Sequence, residues 1–310
     1  MAHTKHRKQS TRPARGAARS GRRTLRRESP TTVALLTDPA DFAAMRGYRS
    51  FTFDDHATYL RQIEGLLRSL ASRGIHVRVG PFDPDEYAEY CAGTGHDPDS
   101  SRSRTRYAAD VTTTGPTVPY TGQPLALLVT ELEYETGRQA TWERASGILA
   151  DAGDCSGCGD DLARTSFDRA SQALMRLLEA AGPGHHHLVC SVPAEGTTLL
   201  AAMHARCDEQ GMVHLAEAEA LVCCTVLAAG FAEDSPGGLV LRSGAGAGAP
   251  PPDRPDEVRG WTLRDGWLQP LTEAQVFNAY CTDAESGDPV PPEPGVVHRP
   301  GFVLPPPEDD

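Results

Sequence analysis

Residues 54–80 read DDHATYLRQIEGLLRSLASRGIHVRVG, and the fold reading rests on this stretch. Tyr59, Leu60, Ile63, Leu66, Leu67 and Leu70 fall at i, i+1, i+4, i+7, i+8 and i+11, which lays them on one face of a helix from Asp54 to Arg73. Asp54 or Asp55 can cap its start, and Gly74 stands where a C′ glycine ends a helix. Ile75-His76-Val77-Arg78-Val79 then alternates as a strand does, until Gly80-Pro81 stops it. Upstream, Val33–Thr37 is a short apolar run closed by Asp38-Pro39, the profile of a buried strand. Strand, helix and strand at this spacing predict a βαβ unit.

Further along, Asp83–Tyr90 reads as a short helix, and residues 92–124 as a long polar loop, either a lid or a linker. Leu125–Leu132 reads as a strand. Helical patterns follow at Glu135–Asp151 and Phe167–Ala181, a strand at His187–Val192, and helices at Thr197–Gln210 and Ala216–Ala229. The last is apolar all round, as a buried helix is. Strands alternating with helices predict an α/β protein with a mostly parallel sheet of about four to five strands and helices packed on it.

The expected organisation is a disordered basic arm (1–30), an α/β body (31–243), a Gly/Ala/Pro linker (244–256), a hairpin-helix segment (257–282) and a Pro-rich acidic tail (283–310). In the fourth of these, Asp265-Gly266 between two short alternating runs signals a hairpin, and Thr272 can cap a helix over Leu271–Tyr280. So small a segment cannot build its own core and is expected to dock on the body.

Composition agrees with much loop: Gly 30 and Pro 25 make up 55 of 310 residues. Charge is divided unevenly. Residues 1–27 hold ten basic side chains and no acid: Lys5, Arg7, Lys8, Arg12, Arg15, Arg19, Arg22, Arg23, Arg26 and Arg27. The rest then carries twenty basic and forty-two acidic side chains, a formal −22. Without lysine beyond Lys8, the body cannot use a lysine Schiff base or a Walker-type phosphate lysine. Cys190, Cys207, Cys223 and Cys224 sit in apolar segments like small buried hydrophobes. Arg22-Arg23 is followed by Glu28-Ser29-Pro30 instead of an apolar run, which argues against an export signal. No stretch approaches the ~18 apolar residues of a membrane helix. These features place the chain in the cytoplasm.

Three chemistries compete for the site. Cys155-Ser156-Gly157-Cys158-Gly159 can present two thiolates to one Zn²⁺, completed by Cys91 with His96 or by rings from His185-His186-His187; a redox pair and an inert interhelical loop are the other readings. For the three histidines, a metal ligand or general base stands against a polar turn entering a strand with alternate rings exposed. Asp38 at the carboxyl end of the first strand, with Glu131 and Glu133 near the end of the Leu125–Leu132 strand, could bind Mg²⁺ in a hydrolase or nucleotidyl enzyme. The arm offers counterion-releasing phosphate contacts and, with no aromatic before Phe42, no base stacking. The leading expectation is a non-enzymatic binding or regulatory protein whose arm touches nucleic acid or another polyanion and whose body meets a protein or small ligand. The alternative is the metal-dependent enzyme.

Overall fold

The computed structural model describes residues 31–154, 159, 161–244, 255–283 and 286–306. They fall into two compact units that divide after Gly137.

In the first unit, β1 (Thr31–Leu35) and β2 (Val77–Pro81) pair in parallel, with Thr31 opposite Val77 and Leu35 opposite Pro81. The connection between them contains α1 (Pro39–Met45) and α2 (His56–Ser72). Asp55 caps α2, its Oδ1 accepting from Thr58 N at 2.7 Å, and Gly74 takes φ +70° just past the end. The βαβ unit is thus formed by the helix and both strands that residues 54–80 and their upstream flank predict. β2 is followed by α3 (Pro84–Thr94), α4 (Ser101–Thr114) and β3 (Val118–Tyr120), which pairs antiparallel with β2.

Residues 92–124 are therefore not one long loop. α4 has no apolar periodicity because, among its described residues, it buries almost nothing but Ser103 and Tyr107, one turn apart. Tyr107 packs among Phe82, Tyr87 and Tyr90 while its hydroxyl reaches Asp83 O at 3.2 Å and Glu86 Oε2 at 3.1 Å. Leu125–Leu132 is likewise a correction: it is the opening of α5 (Leu125–Asp151), and Leu128 and Leu132, four apart, are the residues it buries in this core.

The second unit is built on a seven-stranded sheet that overturns the mostly parallel arrangement. Its order is β10-β8-β7-β4-β5-β6, with β9 paired to β8. The strands are β4 (Gly184–Ala194), β5 (Thr197–Cys207), β6 (Val213–Leu215), β7 (Gly238–Gly244), β8 (Asp256–Arg264), β9 (Trp267–Pro270) and β10 (Val296–His298). Every pairing is antiparallel except β10 with β8. The expected helix over Thr197–Gln210 is β5. Leu199, Ala201, Met203, Ala205 and Cys207 alternate into the core, so period two decides over helical propensity. Consecutive strands joined by tight turns, as β4 and β5 are through Glu195-Gly196, pair antiparallel, and this removes the parallel sheet.

Helices α6 (Leu162–Ala181) and α7 (Glu217–Ala232) share one core with this sheet, through Leu174, Leu177, Leu178, Val222, Val226 and Leu227. Gly230 has no room for a side chain: a Cβ there would stand 2.7 Å from Leu263 Cδ2.

The hairpin between β8 and β9 forms with φ +51° at Asp265 and +64° at Gly266, the two left-handed residues of a type I′ turn. The helix after it is α8 (Glu273–Tyr280), with Thr272 and Gln275 in a capping box. Residues 257–282 therefore supply strands of the sheet itself. The chain then returns over the hairpin: Trp261 Nε1 donates to Phe302 O at 2.9 Å and Trp267 Nε1 to Leu304 O at 2.8 Å.

Candidate functional site

Alternation along β4 splits the three histidines. His186 turns inward, where its Nε2 lies 2.9 Å from Gly182 O and its Nδ1 2.9 Å from Ser243 Oγ. A carbonyl only accepts, so Nε2 carries the proton and Nδ1 accepts from the serine hydroxyl. Burial, above all, holds this imidazole below its ordinary value. The folded chain then binds fewer protons than the unfolded one between that lowered pKa and the ordinary ~6.5. Stability is fully present above that window and is lost as pH falls through it. A lower melting temperature at mildly acid pH than at neutral pH is expected, with the difference diminished in His186→Gln; equal pH dependence in the two would refute it.

His185 and His187 lie on the opposite, solvent face, and register adds two partners from β5. His185 stands opposite Arg206, and His187 opposite His204. The rings of His187 and His204 stack with centroids 4.5 Å apart and planes 20° from parallel. Two cross-strand pairs two residues apart make a compact block of four cationic or chargeable side chains. Glu219, near the start of α7, accepts from His204 N at 2.9 Å and lies 3.3 Å from His204 Nδ1. Arg206 makes no ion pair among the described residues, and the nearby Asp208 is used within the β5–β6 turn, where it accepts from Gln210 N and Met212 N. The His187 ring sits below its ordinary pKa because of burial first, then the charges of His204 and Arg242, with Glu219 opposing them.

Arg242, the neighbour of His187 on β7, extends the row but carries little free charge. It meets Glu293 through two nitrogens at 2.9 and 3.0 Å and Asp256 Oδ2 at 2.8 Å. The guanidinium and the Tyr280 hydroxyl together hold the Glu293 carboxyl below the usual carboxylate range. This bidentate pair is structural in character.

The predicted carboxylates come apart. Asp38 is at the end of β1 as expected, where it caps α1 by accepting from Ala40 N at 2.5 Å. Glu131 and Glu133 are on a helix instead of a strand. At i and i+2 a strand would point both to one side, whereas a helix turns them apart. Glu131 takes the amide of Gln123 at 2.9 Å, and Glu133 is exposed. The acids of this end gather around Asp41: burial first, and then the charges of Asp38, Asp83 and Asp85, raise its carboxyl. Asp83 caps α3 as Asp38 caps α1. The repeat of Asp-Pro after a strand, Asp38-Pro39 and Asp83-Pro84, was the available signal.

Cys155 and Cys158, with the arm residues Lys5 to Arg27, lie outside the described residues. Of the further ligands expected for that zinc, Cys91 is buried in α3, and His96 lies 2.8 Å from Arg106 Nη1. Among the described residues no group of three or more His, Cys, Asp and Glu is disposed to hold a metal ion. No helix among them is long and apolar enough to cross a membrane.

Residues 20–123 match a family model described as a domain of unknown function, DUF8829. The match covers about a third of the 310 residues, from the last part of the arm through β3. Neither a curated protein nor a solved structure matches the chain. The face of β4 and β5 lies outside the matched stretch.

Proposed function

We propose that the chain is a cytoplasmic binding or regulatory protein that engages nucleic acid through phosphate contacts. The observation that supports this reading is the block of His185, His187, His204 and Arg206 on one solvent face of the sheet. It stands in a part of the chain whose formal charge is −22, where clustered basic groups are the exception. The arm, with ten basic residues in its first twenty-seven, adds sequence-independent affinity that depends on salt. The metal-dependent alternative loses support because Glu131 and Glu133 diverge from one another and Asp38 is engaged as a cap.

Two dependences separate the two elements. Contact with about six phosphates would lower affinity by roughly 10³-fold between about 50 and about 200 mM salt. Deleting residues 1–27 should remove most of that dependence. Contacts made by the block should strengthen from about pH 8 to about pH 5.5, the range in which histidine is the side chain that changes charge, while burial and the neighbouring cations hold His187 back. Fluorescence anisotropy with a labelled duplex and a labelled single strand reads both. Equal binding by the full chain and by a variant carrying the deletion with His185→Ala, His187→Ala, His204→Ala and Arg206→Ala would end this reading.

A further inference from the structure

The outer edge of β5 is open along most of its length. β6 takes up only Ala205–Cys207, and no strand among the described residues pairs with residues 197–204 on that side. In an antiparallel strand, alternate residues turn their backbone groups to opposite edges. The N–H of His204 leaves β5 for the Glu219 carboxylate of α7, 2.9 Å away, so the even-numbered residues face outward. Thr198, Leu200 and Ala202 therefore present N–H and C=O groups at this edge that no described residue bonds.

Such an edge is a template for a further strand, and proteins ordinarily blunt theirs with charge, proline, a bulge or a covering segment. Thr197-Thr198-Leu199-Leu200-Ala201-Ala202-Met203 has no charge and no proline, and its register with β4 runs without a bulge. Leu200, at its centre, is 58% exposed. Only the His204 end is closed, by Glu219.

We infer that β5 pairs antiparallel with β5 of a second copy of this chain, about a two-fold axis through Leu200. The open backbone groups specify an extended strand as the occupant, and three features make that strand the chain's own. The free stretch is symmetric about Leu200, itself an outward-facing residue. A two-fold there sets Leu200 against Leu200 and Thr198 against Ala202, so every outward group from 198 to 202 gains a partner. The pairing opposes no like charges, because the stretch has none, whereas a foreign strand would find backbone bonds but no charge by which to be chosen. The interface is also isologous and closes on itself, as two-fold dimers do. Since the axis stands perpendicular to the sheet, the blocks of His185, His187, His204 and Arg206 in the two copies share one face. Their His204 residues lie eight positions apart along the strands, about 27 Å. The inference does not depend on the nucleic-acid reading, although such a dimer would offer a polyanion two contacts instead of one.

Sedimentation velocity on the full chain, over a concentration series, should show the 33.2 kDa chain giving way to a species of twice that mass. Leu200→Pro removes an outward N–H and leaves the ladder with β4 intact, so it should abolish the dimer. Leu200→Lys keeps the test decisive if the proline variant does not fold. It sets two ammonium groups side by side and should raise the dimer midpoint by more than about tenfold. Register is read by cross-linking with diamide, with the unaltered chain as the background for its own cysteines. Leu200→Cys should link to its counterpart in the second copy. Thr198→Cys should not, because its counterpart stands four positions away, about 14 Å, beyond the reach of a disulfide. A chain that stays monomeric throughout the series would leave the edge to a foreign strand and overturn the inference. So would a dimer that survives both Leu200→Pro and Leu200→Lys, or equal cross-linking at the two cysteine positions.

Discussion

Trp267→Ala is expected to cost the second unit roughly 3–5 kcal/mol, the usual range for deleting a buried tryptophan. Trp267 is 6% exposed on β9, lies near-parallel to Phe231 at 6.3 Å, and has the Arg176 guanidinium 6.0 Å above its ring. Truncation leaves a cavity beneath the hairpin and removes the donor from Leu304 O. The three tryptophans all follow residue 137, and seven of the eight tyrosines precede it. A urea titration followed by tryptophan emission therefore reports the second unit nearly alone, and Trp142 and Trp261 keep the signal in the variant. A loss below about 1 kcal/mol would mean that the hairpin is not held by this side chain.

Where the sequence misled, one physical cause recurs: apolar residues at solvent-facing positions. In β5, Leu200 is 58% exposed and Ala202 only partly covered, so Leu199-Leu200-Ala201-Ala202-Met203 shows no apolar-polar alternation. Leucine, alanine and methionine are good helix formers, and propensity filled the gap that the lost alternation left. At the start of α5, Leu127 is 50% exposed and makes Leu125–Val129 look like a uniformly apolar run. The elements that were legible put polar groups outside. α2 has its charged residues away from the leucine face, and the Asp265-Gly266 turn is fixed by local backbone conformation whatever it packs against.

The candidate site suffered from the same exchange of helix for strand. The His185–His187 run is visible in the sequence, and alternate exposure of its rings follows from β4 alone. Its partners His204 and Arg206 were hidden while β5 read as a helix, because cross-strand neighbours exist only once register is known. Glu131 and Glu133 were paired for the converse reason, since an i, i+2 pair shares a face only on a strand.

Removing residues 301–310 should have a still larger effect than the Trp267 substitution. Gly301 N donates to Leu271 O at 2.9 Å, and a Cβ at Gly301 would come within 2.5 Å of Gly260 O, so the chain crosses the sheet there at backbone contact. Beyond it, Phe302 packs on Trp261 with centroids 5.0 Å apart, and Leu304 is 4% exposed. Truncation leaves two indole N–H groups without acceptors, at about 1–3 kcal/mol each while they stay buried, and uncovers a leucine worth about 1.5–3 kcal/mol. A loss near 5 kcal/mol is expected, comparable with the whole stability of a marginal domain of about 5–15 kcal/mol. Some of the N–H cost is relieved if water reaches the exposed indoles, and the urea midpoint measures what remains. The two perturbations share the contact between Trp267 and Leu304, which can be lost only once. Combining Trp267→Ala with the truncation should therefore cost about 1–3 kcal/mol less than the separate losses added together. Strict additivity would show that Leu304 and Trp267 do not act as a pair, and an unchanged midpoint in the truncated chain would show that the returning segment does not hold the hairpin.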